Sequence, residues 1–326
     1  MTRTEIRQKA NSEMEKRRLR AEAEAEARTA EIYKKLPQVA EIRRMLAGTA
    51  SELSQLIIRR GNNYKESFEK IKQSNLEGSR MIKSVLRSNG YPEDYLEVHY
   101  RCSACNDTGY TDMGMCDCMK RLINKIASEE LNRSANMPDA DFAHFSLDYY
   151  RGITVDGVDC YAKMADNLDF CIKYANGFSH NSKSILMLGK TGVGKTHLSM
   201  SIAKEVIKGG SSVIYGSVLN LLREIEKEHF GRAEGDSDTL SALCGCDLLI
   251  MDDLGAEPRT PFYESAVYNL INSRMNMGLP TIVSSNYSVE ELYDHYNERI
   301  ISRLFGFYEV LIFVGKDIRQ LKRLEK

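Results

Sequence analysis

Hydrophobic and polar positions divide the 326-residue chain into stretches of different period. Residues 1 to about 90 show helical spacing. The run NSEMEKRRLRAEAEAEARTAEIYKKL is built from Ala, Glu and Arg, strong helix formers, with Glu/Arg pairs that support a helix in water. Pro37 marks a break. A second helical pattern starts near Glu41, with Ile42, Met45, Leu46, Leu53, Leu56 and Ile57 as its apolar members. A third spans roughly Tyr64 to Leu86 and stops at Asn89-Gly90-Tyr91-Pro92. From Ser184 the period changes. Short apolar runs (SILMLG, SVIYGS, DLLIMDD, PTIVSSN and YEVLIFVG) alternate with amphipathic stretches, which predicts α/β architecture with a parallel five-stranded sheet in three layers.

Four regions follow: a helical partner-binding region over 1–90, a cysteine-rich module over 91–120, a helical linker and nucleotide-side segment over 121–180, and the α/β core over 181–326. Residues 1–30 are polar enough to be a solvated arm. The apolar positions after residue 40 favour a module that binds a partner.

Composition narrows the class. Lys+Arg is 45 against Asp+Glu 46, a net charge of -1, which argues against a wholly basic nucleic-acid coat. The balance is uneven along the chain: the first 100 residues carry 20 Lys/Arg and 15 Asp/Glu, so the arm is mildly basic and the remainder mildly acidic. No apolar run approaches the roughly 18 residues of a membrane span. The N-terminus MTRTEIRQKANSEMEKRRLR has no apolar core, so a secretory signal is not expected and a reducing, cytoplasmic setting is. There the eight cysteines serve as ligands, nucleophiles or core filler rather than disulfides.

Gly189-Lys190-Thr191-Gly192-Val193-Gly194-Lys195-Thr196 fits G-x-x-x-x-G-K-[ST], between an apolar strand and the helix-forming THLSMSIAKEVIK. Glycines allow backbone N–H groups to curl around a phosphate, and the helix that follows aims its positive end at the same charge. Lys195 is expected on the β- and γ-phosphates, and the Thr196 hydroxyl on Mg2+, with Thr191, Val193 and His197 in the cofactor-binding loop. The strand Leu248–Met251 ends in two carboxylates. Asp252 is assigned to the metal and Asp253 to the attacking water, with Glu257 as a weaker supporting contact.

GKTGVGKTHL, LLIMDDLGAE, PTIVSSN and ERIISRLFG, in this order, resemble the DnaC/DnaI helicase loaders and the related IstB-like transposition ATPases, which are AAA+ proteins. The resemblance runs over roughly residues 140 to 326. It implies a P-loop AAA+ core and three further roles: Asn286 as sensor 1, which orients water; Arg303 as an arginine finger acting on a neighbouring subunit's ATP; and Arg319 as the sensor 2 arginine of its own chain. Only eleven residues follow Gly315, too few for the C-terminal lid of most AAA+ ATPases, and loaders are similarly truncated. Within DFAHFSLDYY, Phe142, Phe145 and Tyr150 read equally well as an adenine pocket or as core aromatics.

Cys102-x2-Cys105-x10-Cys116-x-Cys118 offers four thiolates in a loop containing Gly109 and Gly114, the pattern of a closed Zn2+ site. C-x-C is the less usual half, so the fourth ligand is either Cys118 or His99. Cys160, Cys171, Cys244 and Cys246 sit among apolar neighbours and read as core.

Together these features and the resemblance predict an ATPase that binds ATP, Mg2+ and Zn2+ and loads the replicative hexameric DNA helicase on single-stranded DNA. Hydrolysis would release the loader, and subunits would self-associate on the helicase or DNA. Arg223, Lys227 and Arg232 are candidate DNA-phosphate contacts, although a solvated charge is the commoner explanation for any one of them. The alternative is an IstB-like transposition ATPase acting on duplex DNA with a transposase.

Overall fold

The computed structural model describes residues 3–59, 64–134, 140–231 and 239–324. The chain divides into two compact units, residues 11–118 and residues 119–326 together with 1–10. Among the described residues no helix is long and apolar enough to cross a membrane.

The first helix, α1 (Arg3–Lys35), is followed by α2 (Pro37–Arg59) and α3 (Tyr64–Ser88). The break expected at Pro37 is a single residue, Leu36, and Pro37 itself opens α2. Proline is tolerated there because the first-turn N–H has no partner inside the helix. Within residues 11–118, Ile32, Val39, Leu86 and Leu96 form a buried core flanked by Tyr33, Tyr91 and Tyr95. Arg28 ties the segment after α3 to α1, donating to the carbonyls of Tyr95 and Glu97 at 2.9 Å each. Leu46 packs on Gly78, where a Cβ would lie 2.6 Å from its Cδ2, so α2 and α3 approach closely at a glycine. The side chains of Leu53, Leu56 and Ile57 lie outside the described residues. The short strands β1 (Tyr110–Thr111) and β2 (Gly114–Met115) then form an antiparallel hairpin.

The second unit takes up the chain within α4 (Asp117–Ser134). One-turn 3-10 helices at Phe142–His144 and Leu147–Tyr150 and the hairpin β3 (Thr154–Val155) and β4 (Val158–Asp159) lead into α5 (Cys160–Asn176). The core then runs β5 (Ser184–Leu188), α6 (Lys195–Lys208), β6 (Val213–Ser217), α7 (Val218–His229), α8 (Thr239–Gly245), β7 (Leu248–Leu254), α9 (Pro261–Asn276), β8 (Thr281–Ser285), α10 (Val289–His295), α11 (Glu298–Phe307), β9 (Tyr308–Ile312) and α12 (Ile318–Leu324). All five apolar runs are strands of one parallel sheet, ordered β6-β7-β8-β5-β9. This is the expected α/β core with a five-stranded parallel sheet, preceded by a helical region.

Nearly every residue of β5, β7 and β8 is buried, as expected of central parallel strands covered on both faces. One face packs Leu186, Ile214, Leu249, Met251 and Val283 against α7, α9 and α11, and the other packs Ile185, Met187, Ile250 and Ile282 against α5 and α6. Cys160, Cys171, Cys244 and Cys246 are buried free thiols within these two layers.

Arg274 is fully buried in the second unit. Its guanidinium donates to the carbonyls of Leu243 (2.7 Å), Cys244 (3.2 Å), Cys246 (2.9 Å) and Pro280 (2.6 Å) and to Thr281 Oγ1 (2.9 Å). One side chain thereby supplies donors to carbonyls at the end of α8 and just before β8.

Candidate nucleotide and metal sites

The carboxyl ends of β5, β7 and β8 converge on a cleft of about 390 Å³ lined by the phosphate loop, Asp252, Asp253, Ser284, Asn286 and Arg319. Loop conformation follows from its glycines. Gly189, Gly192 and Gly194 all have positive φ (153°, 81° and 100°), and each is pressed by a different neighbour. A Cβ on Gly189 would lie 2.3 Å from the Phe313 carbonyl, and one on Gly194 2.8 Å from the Phe145 ring. Gly194 is also the N-cap of α6 and makes no side-chain cap, so the N–H groups of the first turn remain free to meet an anion.

Lys195 Nζ is held by three acceptors: the carbonyls of Gly189 (2.5 Å) and Lys190 (2.9 Å) and Oδ1 of Asn286 (2.8 Å). Burial lowers its pKa to about 8, opposed by the charges of Asp253 and Asp252. The Thr196 hydroxyl donates to Asp252 at 3.0 and 3.3 Å, so the two groups assigned to Mg2+ touch. Their donor set is a hydroxyl and a carboxylate, hard oxygens that fit Mg2+.

Asp253 stands apart from its neighbour. Its φ is +66°, and the β7–β8 register shifts between Met251 and Leu254, so the strand deforms where the two carboxylates must diverge. The Asn286 amide donates to Asp253 Oδ1. Burial, then the charge of Asp252, raise the Asp253 pKa, with Lys195 opposing. A carboxylate raised in this way is a better proton acceptor than one in water.

Two polar groups here have no signal in the motif. Tyr215 on β6 donates its hydroxyl to Asp252 Oδ2 at 3.0 Å, and Ser284 on β8 donates to Asp252 Oδ1 at 2.5 Å while accepting from the Asp253 N–H at 3.0 Å. The only hint was a hydroxyl-bearing residue inside an otherwise apolar strand run.

Arg319 and Lys322 line the cleft from α12, and His197, Thr191 and Gly192 line it from the loop side. His197 Nε2 pairs with the Asp141 carbonyl at 2.8 Å. The Val193 carbonyl accepts from the buried Tyr150 hydroxyl at 2.9 Å. The three aromatics of DFAHFSLDYY therefore divide. Phe145 lines the cleft beside Tyr149, Tyr150 supports the loop from beneath, and Phe142 packs against the core.

Arg303 is not at its own chain's cleft. Its guanidinium sits 4.5 Å over the Tyr268 ring, donating to Tyr268 Oη (2.8 Å), Asn272 Oδ1 (2.8 Å) and the Arg299 carbonyl (2.9 Å). Glu257 is buried away from the phosphate loop, accepting from the Gly255 N–H at 2.9 Å and from the Tyr296 hydroxyl. Lys227 pairs with Glu224 at 2.6 Å and Arg223 lies beside Tyr263, whereas Arg232 is outside the described residues.

In the other unit the Sγ atoms of Cys102, Cys105, Cys116 and Cys118 all lie within 4.8 Å of one another. Cys102–Cys116 is 3.8 Å and Cys105–Cys118 is 3.3 Å. Four thiolates around a tetrahedral Zn2+ stand about 3.8 Å apart, so the donor set fits that ion in type and spacing. Of the two candidates for fourth ligand the geometry brings in Cys118; His99 instead bonds the Asp94 carbonyl at 3.1 Å. The Cys105 backbone N–H lowers the Cys102 pKa to about 7, while burial pushes Cys118 up. The buried Asp107 carboxylate accepts from the N–H groups of Arg101 (2.7 Å) and Cys102 (3.0 Å) and so braces the first ligand.

Comparison with known proteins agrees with this geometry. Residues 159–305 match the family model of IstB-like ATP binding proteins. The replicative helicase loader DnaC of Escherichia coli K12 is 25% identical over 147 residues, 45% of this chain and 60% of the relative. An ATP-binding protein in an insertion sequence of Mycobacterium tuberculosis is 25% identical over 146 residues, 43% of this chain and 57% of the relative. The chain thus spans less than two thirds of the curated relatives it matches. The crystal structure of DnaI covers 56% of this chain and 94% of its own, with 23% identity and a TM-score of 0.44. The similarity to the IstB-like ATP binding proteins and to DnaC thus lies in the segment that carries the phosphate loop.

Proposed function

We propose that this chain, carrying an IstB-like ATP-binding domain, is an ATP-dependent loader of a replicative hexameric DNA helicase, working in the cytoplasm. The observation that carries the ATPase part is the joined constellation of Lys195, Thr196, Asp252, Asp253 and Asn286 at one end of the sheet. Lys195 and the free N–H groups of α6 bind the β- and γ-phosphates. Thr196 and Asp252 hold Mg2+, which when bound supplies charge that polarises the phosphate. Asp253 accepts a proton from the attacking water, and Asn286 fixes the direction of its carboxylate. Arg319 reads the phosphates from its own chain. Arg303, held away from its own cleft, reaches the ATP of a neighbouring subunit, so turnover requires self-association.

The likeness to a helicase loader supports the choice of partner, and the separate helical and cysteine unit supports it over the transposition alternative. Zinc bound by Cys102, Cys105, Cys116 and Cys118 stabilises that unit, which presents the partner-binding surface. Single-stranded DNA contacts the ATPase near Arg223 and Lys227, beside which Phe230, exposed at the end of α7, offers a ring for base stacking. Co-elution of the full chain with its cognate hexameric helicase tests the reading. Binding to duplex DNA with a transposase, and none to the helicase, would replace it with the alternative.

A further inference from the structure

Asp252 carries more hydrogen bonds than a metal ligand needs for itself. Its Oδ1 accepts from Ser284 and its Oδ2 from Tyr215, while the Thr196 hydroxyl lies within 3.0 Å of Oδ2 and 3.3 Å of Oδ1. Thr196 is the group expected to give its oxygen to Mg2+, so Tyr215 is then the donor left on Oδ2. From these contacts we infer that Tyr215 is a positioning residue for the metal: its phenol O–H fixes the orientation in which the Asp252 carboxylate can hold Mg2+ beside Thr196.

The sheet explains why a tyrosine serves here. In the β6–β7 register Tyr215 faces Ile250 and Ser217 faces Asp252, so Asp252 is the diagonal neighbour of Tyr215 on one face of the sheet. Diagonal neighbours are about 7 Å apart, beyond the reach of valine or isoleucine but within that of a long aromatic. The ring packs in the buried layer with Val213, Ile250 and Leu248, and its hydroxyl reaches Asp252 at the cleft. A second hydrogen bond of this kind typically governs metal affinity by about ten- to a hundredfold.

The inference rests on the ATP–Mg2+ part of the proposed function and is independent of the helicase partner. Its test is Tyr215→Phe in the full chain, which removes the hydroxyl and keeps the ring. The affinity of a fluorescent ATP analogue is measured for both proteins in Mg2+ and in EDTA. The expected result is an unchanged affinity in EDTA and a metal-dependent gain about tenfold smaller than in wild type. An equal gain in the two proteins overturns the inference, as does a parallel weakening in both buffers, which marks Tyr215 as merely structural. A wild type with no metal-dependent gain overturns both the inference and the Mg2+ assignment, whereas loss of helicase binding alone would touch neither.

Discussion

Asn286 receives a hydrogen bond from Lys195 at 2.8 Å on its Oδ1 and gives one to Asp253 through its Nδ2. One amide therefore joins the lysine of the phosphate loop to the carboxylate proposed to act on water, and its two ends are not interchangeable. Asn286→Ala is expected to lower ATP turnover about a hundredfold or more while nucleotide affinity changes little, and Asp253→Asn to do the same. Because both are proposed to act on one water, the double variant should be no slower than the slower single variant. Additive losses in steady-state turnover would separate the two residues into independent roles.

Lys195 gives nucleotide binding a pH limit. Its pKa of about 8 in the free protein is set by burial, with Asp253 and Asp252 opposing. Phosphate binds the protonated form, so affinity is full below about pH 7. It falls by up to about tenfold per pH unit above 8, where the lysine must first regain its proton. Titration of a fluorescent nucleotide between pH 6.5 and 9.5 checks the sign; affinity that rises with pH would contradict it.

Arg303 is tested by mixing. Lys195→Ala removes the site's own phosphate contact, and Arg303→Ala removes the group offered to a neighbour. Each variant alone should be nearly inactive. Mixed subunits should recover part of the turnover, since one supplies the intact site and the other the arginine. No recovery under conditions where the wild type assembles places Arg303 in its Tyr268 and Asn272 contacts alone.

The cysteine cluster predicts a metal count. Purified protein should carry about one zinc per chain, lost in Cys118→Ser and kept in His99→Ala, by elemental analysis. Chelation should lower the thermal stability of the unit formed by residues 11–118. Retention of zinc in Cys118→Ser with loss in His99→Ala would reverse the ligand assignment.

Arg274 is a stability residue outside every site. Arg274→Ala removes the guanidinium donors from four buried carbonyls and the Thr281 hydroxyl together, and the expected cost is about 3–5 kcal/mol in a denaturant titration. A cost below about 1 kcal/mol would mean that water or neighbouring groups replace its hydrogen bonds.

The strands of the sheet were legible because central parallel strands need continuous apolar runs, and SILML, LLIMDDL and TIVSS could hardly be anything else beside the Gly189–Thr196 loop. The phosphate loop was legible for a related reason: its glycines and lysine answer to local backbone geometry. The start of α2 was missed because Pro37 looks like a breaker wherever it stands, and only the chain path shows it in the first turn.

Local chemistry in the sequence therefore determined the order of the five strands along the chain, the phosphate loop, the carboxylate pair and the candidate ligands Cys102, Cys105 and Cys116. Tertiary structure decided which groups surround them. Tyr215 on β6, Ser284 on β8 and Asn286 just past the end of β8 meet the two carboxylates of β7 only because β6, β7 and β8 are neighbours in space, an order that parallel crossovers set and the chain sequence does not spell out. Cys118 over His99, and Arg303 directed away from its own cleft, are likewise matters of distance between residues remote in sequence, and distance exists only once the chain has folded.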